Sequence, residues 1–145
     1  MRQKVLFLCT GNSARSLMAE ALLRHWAGNR FEVYSAGLSP RGIHPLTLQV
    51  LEEISVDTLP LRSKGVEELI DKVHFDVVIT VCSNAEEHCP FFPGKGLRMH
   101  WPCEDPAAVQ GSLSLRLFAF RQARDQLETA ILNWLRSLDA AATAG

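Results

Sequence analysis

The stretch Val5-Leu6-Phe7-Leu8-Cys9-Thr10-Gly11-Asn12-Ser13-Ala14-Arg15-Ser16 decides the fold. Lys4 to Leu8 reads as a short buried strand. Small residues follow as a loop, and an amphipathic helix follows the loop. Successive backbone N–H groups in such a loop can curl into a nest for an anion. The helix behind it adds the partial positive charge of its N-terminus. Gly11 permits a twist that a side chain would resist. Arg15 can grip two oxygens with its planar fork. The same features favour a thiolate, so the Cys9 pKa is expected to fall from about 8.5 into the range of about 3.5–7.5. Ser16 can donate a hydrogen bond to the sulfur. The segment therefore predicts a nucleophilic Cys9 facing an oxyanion held by Thr10, Gly11, Asn12, Ser13, Ala14, Arg15 and Ser16.

Outward from this loop, strand and helix patterns alternate. Met18, Ala21, Leu22, His25 and Trp26 fall on one helical face, with Glu20 and Arg24 off it, and Gly28-Asn29 stops that helix. Phe31 to Ala36 reads as a second strand. Pro45 opens a helix with Leu46, Val50, Leu51 and Ile54 as its stripe. Val66, Leu69, Ile70 and Val73 predict another short helix. Asp76 to Val81 is apolar and β-branched enough for a strand buried on both faces. Cys82 to Gly96 is a long loop with room for a helical turn. Leu97 to Trp101 is a fourth strand, and a long terminal helix carries Leu117, Phe120, Leu127, Ile131, Trp134, Leu135 and Leu138. This alternation predicts an α/β fold with a parallel sheet covered on both faces. Ligands bind beyond the carboxyl ends of such strands. Cys9, Cys82 and Asp105 each follow a strand at that edge.

The chain has 145 residues and a formal net charge of -1. That length suits one domain over residues 1–145. The charge offers no global field for nucleic acid or an anionic membrane, and it suits a monomer. No signal segment or membrane span is visible, so a cytoplasmic location is expected. Four cysteines in that compartment are thiols, metal ligands or redox groups rather than structural disulfides.

Cys9 to Ser16, with Val5 to Leu8 before it, resembles the phosphate loop of the low-molecular-weight protein tyrosine phosphatases and of their relatives, the thioredoxin-coupled arsenate reductases. Ser35-Ala36-Gly37 and Asp105-Pro106 also resemble this family. The resemblance runs through the whole chain and implies a three-layer fold, a four-stranded parallel sheet flanked by helices. Its two branches differ after the first attack. A phosphatase needs one thiol, returned by hydrolysis of a Cys9 phosphocysteine. Reduction of arsenate needs two electrons, which Cys9 can supply only by ending in a disulfide. Cys82 and Cys89, the latter followed by Pro90, resemble the redox segment of the reductases. The resemblance then implies that Cys9 attacks arsenic, Cys82 displaces arsenite, and Cys89 resolves the disulfide. Electrons would come from thioredoxin, or from glutaredoxin with glutathione, with no bound cofactor. Asp105, beyond the fourth strand, is the expected general acid. Ala107 stands where the phosphatases usually carry an aromatic residue, which argues against a phosphotyrosine substrate.

Three departures stand out. Ala14 occupies a loop position where some relatives have cysteine, which removes one site of oxidation. Some relatives bind potassium through Asn, Glu, Ser, Thr and Asp groups. Asn12, Glu20 and Ser35 match the first three, but Leu61-Arg62-Ser63-Lys64 brings two positive charges, so no potassium and no other metal is expected. Cys103 reads as an incidental thiol rather than an alternative resolving cysteine. A zinc or arsenite module built from Cys82, His88, Cys89, His100 and Cys103 would leave the Cys9 loop unused, and its spacing is loose for zinc.

Overall fold

The computed structural model describes residues 2–89 and 96–144. Four strands, β1 (Gln3–Cys9), β2 (Phe31–Gly37), β3 (Val77–Thr80) and β4 (Leu97–His100), form one sheet in the order β2-β1-β3-β4. Every pairing is parallel, with Cys9 opposite Gly37 and Leu8 opposite Thr80. The helices are α1 (Arg15–Ala27), α2 (Pro45–Glu52), α3 (Ser83–Glu87) and α4 (Leu113–Ala144). The α/β fold with a four-stranded parallel sheet is thus the one expected.

Strand periodicity sorts the layers. Phe31 and Phe7 point to one face. There Phe31 stacks on Trp134 at 5.3 Å between ring centroids, and Trp101 bridges Phe7 and Trp134 at 5.9 Å from each. That face therefore belongs to α4, and α1 packs against both α4 and β2. Tyr34 points the other way and meets Phe75 edge-on at 5.3 Å. Segment 54–75 lies on that second face and buries Val56, Leu61, Val66 and Leu69.

Two expectations change. The short helix expected over Val66 to Val73 is one 3-10 turn, Val66–Glu68, followed by turns. The Leu69 and Ile70 N–H groups both bond the Val66 carbonyl, and those of Lys72 and Val73 both bond the Leu69 carbonyl, so separate turns replace a continuous helix. In α1, His25 and Trp26 are exposed, whereas Glu20 is buried among Met18, Ala21 and Leu22. The helix is enclosed by sheet and α4 over its first turns, so its surroundings rather than one stripe decide what is buried. Trp26 instead caps the rim, its indole N–H donating to Glu128 at 3.0 Å.

The carboxyl edge of the sheet is where the chain crowds. A Cβ on Gly37 would lie 2.7 Å from the Thr10 carbonyl oxygen and 2.8 Å from the Asn12 nitrogen, so only glycine lets β2 end against the Cys9 loop. Truncation under this layer should be costly. Leu22→Ala, at a fully buried position, is expected to lower unfolding free energy by about 2–5 kcal/mol in urea titrations. Leu113→Ala, more than half exposed, should stay within about 0.5 kcal/mol of the parent.

Candidate active site

Cys9 ends β1, and the loop Thr10–Ala14 curls back over it before α1 begins at Arg15. The Asn12 backbone N–H donates to the Cys9 Sγ at 3.3 Å, and the Ser16 hydroxyl lies 2.8 Å from the same sulfur. Asn12 takes the left-handed φ of 44°, a conformation favoured by Asn among non-glycine residues. Its side chain points inward. Lys64 N donates to Oδ1 at 2.8 Å, which fixes the amide so that Nδ2 donates to Ser16 Oγ at 2.8 Å and Ser35 Oγ at 3.0 Å. With an acceptor role already filled by Asn12, the Ser16 hydroxyl proton is free for the Cys9 sulfur. Ser35 in turn donates to Glu20 at 2.5 Å, and Arg24 donates to the second Glu20 oxygen at 2.6 Å.

Cys9 faces a cavity of about 210 Å³ walled by loop residues, Arg15, Arg41, Asp105 and Ala107. Thr10, Gly11, Ser13 and Ala14 line it. Asn12 and Ser16 do not. They are fully buried behind the loop, where they shape it rather than present side chains to a ligand. Arg15 Nη1 donates to the Cys103 carbonyl at 2.9 Å, and its Nη2 stands 3.9 Å from Asp105. Asp105 also accepts from Ala107 N at 3.0 Å, so the carboxylate caps the turn Pro106–Ala108 as well as facing the cavity. Sequence reasoning missed Arg41. Its stem covers Gly11 and its backbone N–H bonds the Gly11 carbonyl at 2.9 Å. The available signal was its place in the turn just beyond β2, on the same edge as Cys9.

Cys82 lies in an adjoining cavity of about 620 Å³, which shares Thr10, Arg15 and Asp105 with the first. Its sulfur accepts from Ala85 N at 3.3 Å as the cap of α3. Asn84 donates to the Thr10 hydroxyl at 2.9 Å, leaving that hydroxyl to donate to Cys82 Sγ at 3.4 Å. Cys89 is half-buried beyond the other end of α3. Burial pushes its thiol above the ordinary value, Arg98 opposes this and Glu86 adds to it. The structure therefore brings Cys9, Arg15 and Asp105 to one cavity, Cys82 to the next, and leaves Cys89 apart. Pro90 lies outside the described residues. Among the described residues no cluster of three or more His, Cys, Asp or Glu can hold a metal ion. His100 is engaged with Thr80 instead.

Cys103 is buried, and burial pushes its thiol to about 11, with Arg15 pulling the other way.

Residues 4–144 match the family model of the low molecular weight phosphotyrosine protein phosphatases. The chain belongs to this family. Its relatives include an arsenate reductase of Halalkalibacterium halodurans, 38% identical over 129 residues, 88% of this chain and 91% of that one. Among solved structures, an arsenate reductase in its oxidised state has a TM-score of 0.77 at 28% identity, covering 90% of this chain and 95% of its own. The thioredoxin-dependent arsenate reductase of Corynebacterium glutamicum has a TM-score of 0.71 at 28% identity, covering 97% of this chain and 63% of its own. Among the described residues no helix is long and apolar enough to cross a membrane.

A thiol with a pKa of about 11 leaves only about one molecule in a thousand as thiolate at pH 8. Alkylation of the native protein at that pH, mapped by mass spectrometry, should therefore modify Cys9 well before Cys103. Equal labelling of the two would contradict this assignment.

Proposed function

We propose that this protein reduces arsenate to arsenite with Cys9, Cys82 and Cys89 as its working thiols. The observation that carries the reading is the placement of Cys82 one hydroxyl, that of Thr10, away from the Cys9 loop. A chain whose curated relatives are named arsenate reductase has reason to keep a second thiol there; a hydrolase does not.

Arsenate enters the Cys9 cavity, held by loop N–H groups and Arg15. Cys9 thiolate attacks arsenic as Asp105 protonates the departing oxygen, which leaves as water. Cys82 thiolate then attacks the Cys9 sulfur. The electron pair of the S–As bond passes to arsenic, arsenite leaves, and a Cys9–Cys82 disulfide remains. Cys89 thiolate attacks Cys82 and returns Cys9 as thiolate. A dithiol protein, thioredoxin or glutaredoxin with glutathione, reduces Cys82–Cys89. The thioredoxin-dependent relative favours the first donor. We place the protein in the cytoplasm as one monomeric domain, with no bound cofactor.

The third step needs a conformational change. A helix rises about 1.5 Å per residue, so a helical path from Cys82 to Cys89 spans about 10 Å, beyond the limit of about 7 Å between the Cα atoms of a disulfide. Helix α3 must unwind. The chemistry itself loosens it, because Cys82 leaves the Ala85 N–H when it bonds Cys9. Unwinding also exposes Cys89 and removes the burial that raises its pKa. The competing reading is a phosphatase using Cys9 alone. Ala107 at the cavity mouth gives an aromatic ring little to stack on.

With arsenate, thioredoxin, thioredoxin reductase and NADPH, the parent should turn over. Cys82→Ser should abolish NADPH loss, and Cys89→Ser should stop after one turnover with a Cys9–Cys82 disulfide detectable by peptide mapping. No turnover with either donor system sinks the reading. Rapid aryl phosphate hydrolysis indifferent to both changes would favour the phosphatase. Separately, oxidation to the Cys82–Cys89 form should speed amide exchange across Asn84 to His88, read by mass spectrometry. Unchanged protection there would mean that α3 survives the disulfide.

A further inference from the structure

Arg41 lines the Cys9 cavity, yet the thiol chemistry gives it no part. It comes from the turn that follows β2, and that turn is zipped to the Cys9 loop. Leu38 N donates to the Cys9 carbonyl at 3.1 Å and Ser39 N to that of Thr10 at 2.8 Å. Arg41 N donates to the Gly11 carbonyl at 2.9 Å and His44 N to that of Ser13 at 3.0 Å. On the far side, Gly42 N donates to Ser63 Oγ at 3.1 Å. The backbone of Arg41 is therefore fixed to the loop that carries the nucleophile.

Its side chain is held along the stem and open at the tip. A Cβ on Gly11 would lie 3.3 Å from Arg41 Cδ and 3.6 Å from Cγ, so the stem lies across Gly11. Beyond it, the exposed guanidinium has no hydrogen-bond or ion-pair partner among the described residues. Other arginines of this chain are engaged. Arg24, Arg30, Arg62, Arg98 and Arg121 each pair with a carboxylate. Arg15, inside the cavity, donates to the Cys103 carbonyl and faces Asp105. A Cys9 thiolate and a tetrahedral dianion would bring like charges into about 210 Å³. Such charges repel unless cations stand beside them, and Arg15 already has an acid to face.

We propose that Arg41 is a second oxyanion-binding residue, a cation at the cavity rim that reaches across Gly11 to a small tetrahedral dianion seated on the Cys9 loop. The loop and Arg15 hold the oxygens that face inward. The fork of Arg41 takes an oxygen that faces the rim. Ala107, on the same rim, offers neither charge nor hydrogen-bonding side chain. The proposal rests on the reading of the Cys9 cavity as an oxyanion site. It does not need the anion to be reduced.

The test measures binding without turnover. The probe is inorganic phosphate, and the readout is the concentration that halves the rate at which iodoacetamide alkylates Cys9, mapped by mass spectrometry. Each concentration refers to the variant's own unprotected rate, so a change in thiol reactivity cancels. Arg41→Gln should raise it about five- to tenfold, the scale of one charge-assisted hydrogen bond. Arg41→Lys, which keeps the charge, should stay within about threefold of the parent. Arg136→Gln, which removes the same charge from an exposed site on α4, should stay within about twofold. In steady state, Arg41→Gln should raise KM for arsenate by the same factor and change kcat less than about twofold. Phosphate that protects Arg41→Gln as well as the parent overturns the proposal and leaves the reductase reading standing. Equal losses in Arg41→Gln and Arg41→Lys overturn it too, because stem packing rather than charge would then matter. Should Arg41→Gln fold poorly, Arg41→Met replaces it in the same comparison. A parent that reduces no arsenate, but whose protection by phosphate depends on Arg41, would sink the reductase and support Arg41.

Discussion

Asn12 holds a left-handed backbone, and the three hydrogen bonds of its side-chain amide offset the cost of that conformation. Its backbone N–H is thereby turned onto the Cys9 sulfur. Its amide orients Ser16 toward the same atom. Without it the loop would have neither its curl nor its second sulfur donor. The Lys64 N–H belongs to a backbone donor and cannot reverse its role, so it fixes which way the amide faces. A segment 52 residues further along the chain therefore sets the proton positions around the Cys9 sulfur.

The parallel sheet supplies the frame for this arrangement. Strand order β2-β1-β3-β4 puts the Cys9 strand between the strand leading to Gly37 and the strand leading to Cys82. Gly37 supports the loop from one side, and Cys82 waits on the other. Thr10, Arg15 and Asp105 form the shared wall between the two cavities. The Cys9 and Cys82 thiols thus stand in adjacent compartments rather than one, as the proposed cycle requires. Thr10 is the contact between them, through its hydrogen bond to Cys82 and the one it receives from Asn84.

Helix α3 has a double character. Short helices are marginal by themselves, and this one relies on tertiary bonds: the Cys82 cap, Thr80 to Glu86, and Arg98 to Glu86. In the proposed cycle the helix loses the first of these contacts, its Cys82 cap, when that sulfur changes partner.

Much was legible in the residues alone. Alternating periods predicted the α/β class, and the run Val5 to Ser16 predicted a tight loop between strand and helix, because local pattern and loop composition act over short range. The places of Cys82 and Asp105 beyond strand ends were legible from their order in the chain, whereas the roles given to them and to Cys89 rest on the resemblance and belong to the proposal. The inward turn of Asn12 and Ser16, the burial of Glu20 beside an exposed Trp26, and the entry of Arg41 were not. Each depends on which distant segment packs against it, and no local period encodes that. The sequence by itself determined which side chains can do chemistry and which strand ends present them. Tertiary structure alone decided which of them share a cavity and which stand behind it, because burial and hydrogen-bond partners are set by contacts between segments far apart in the chain.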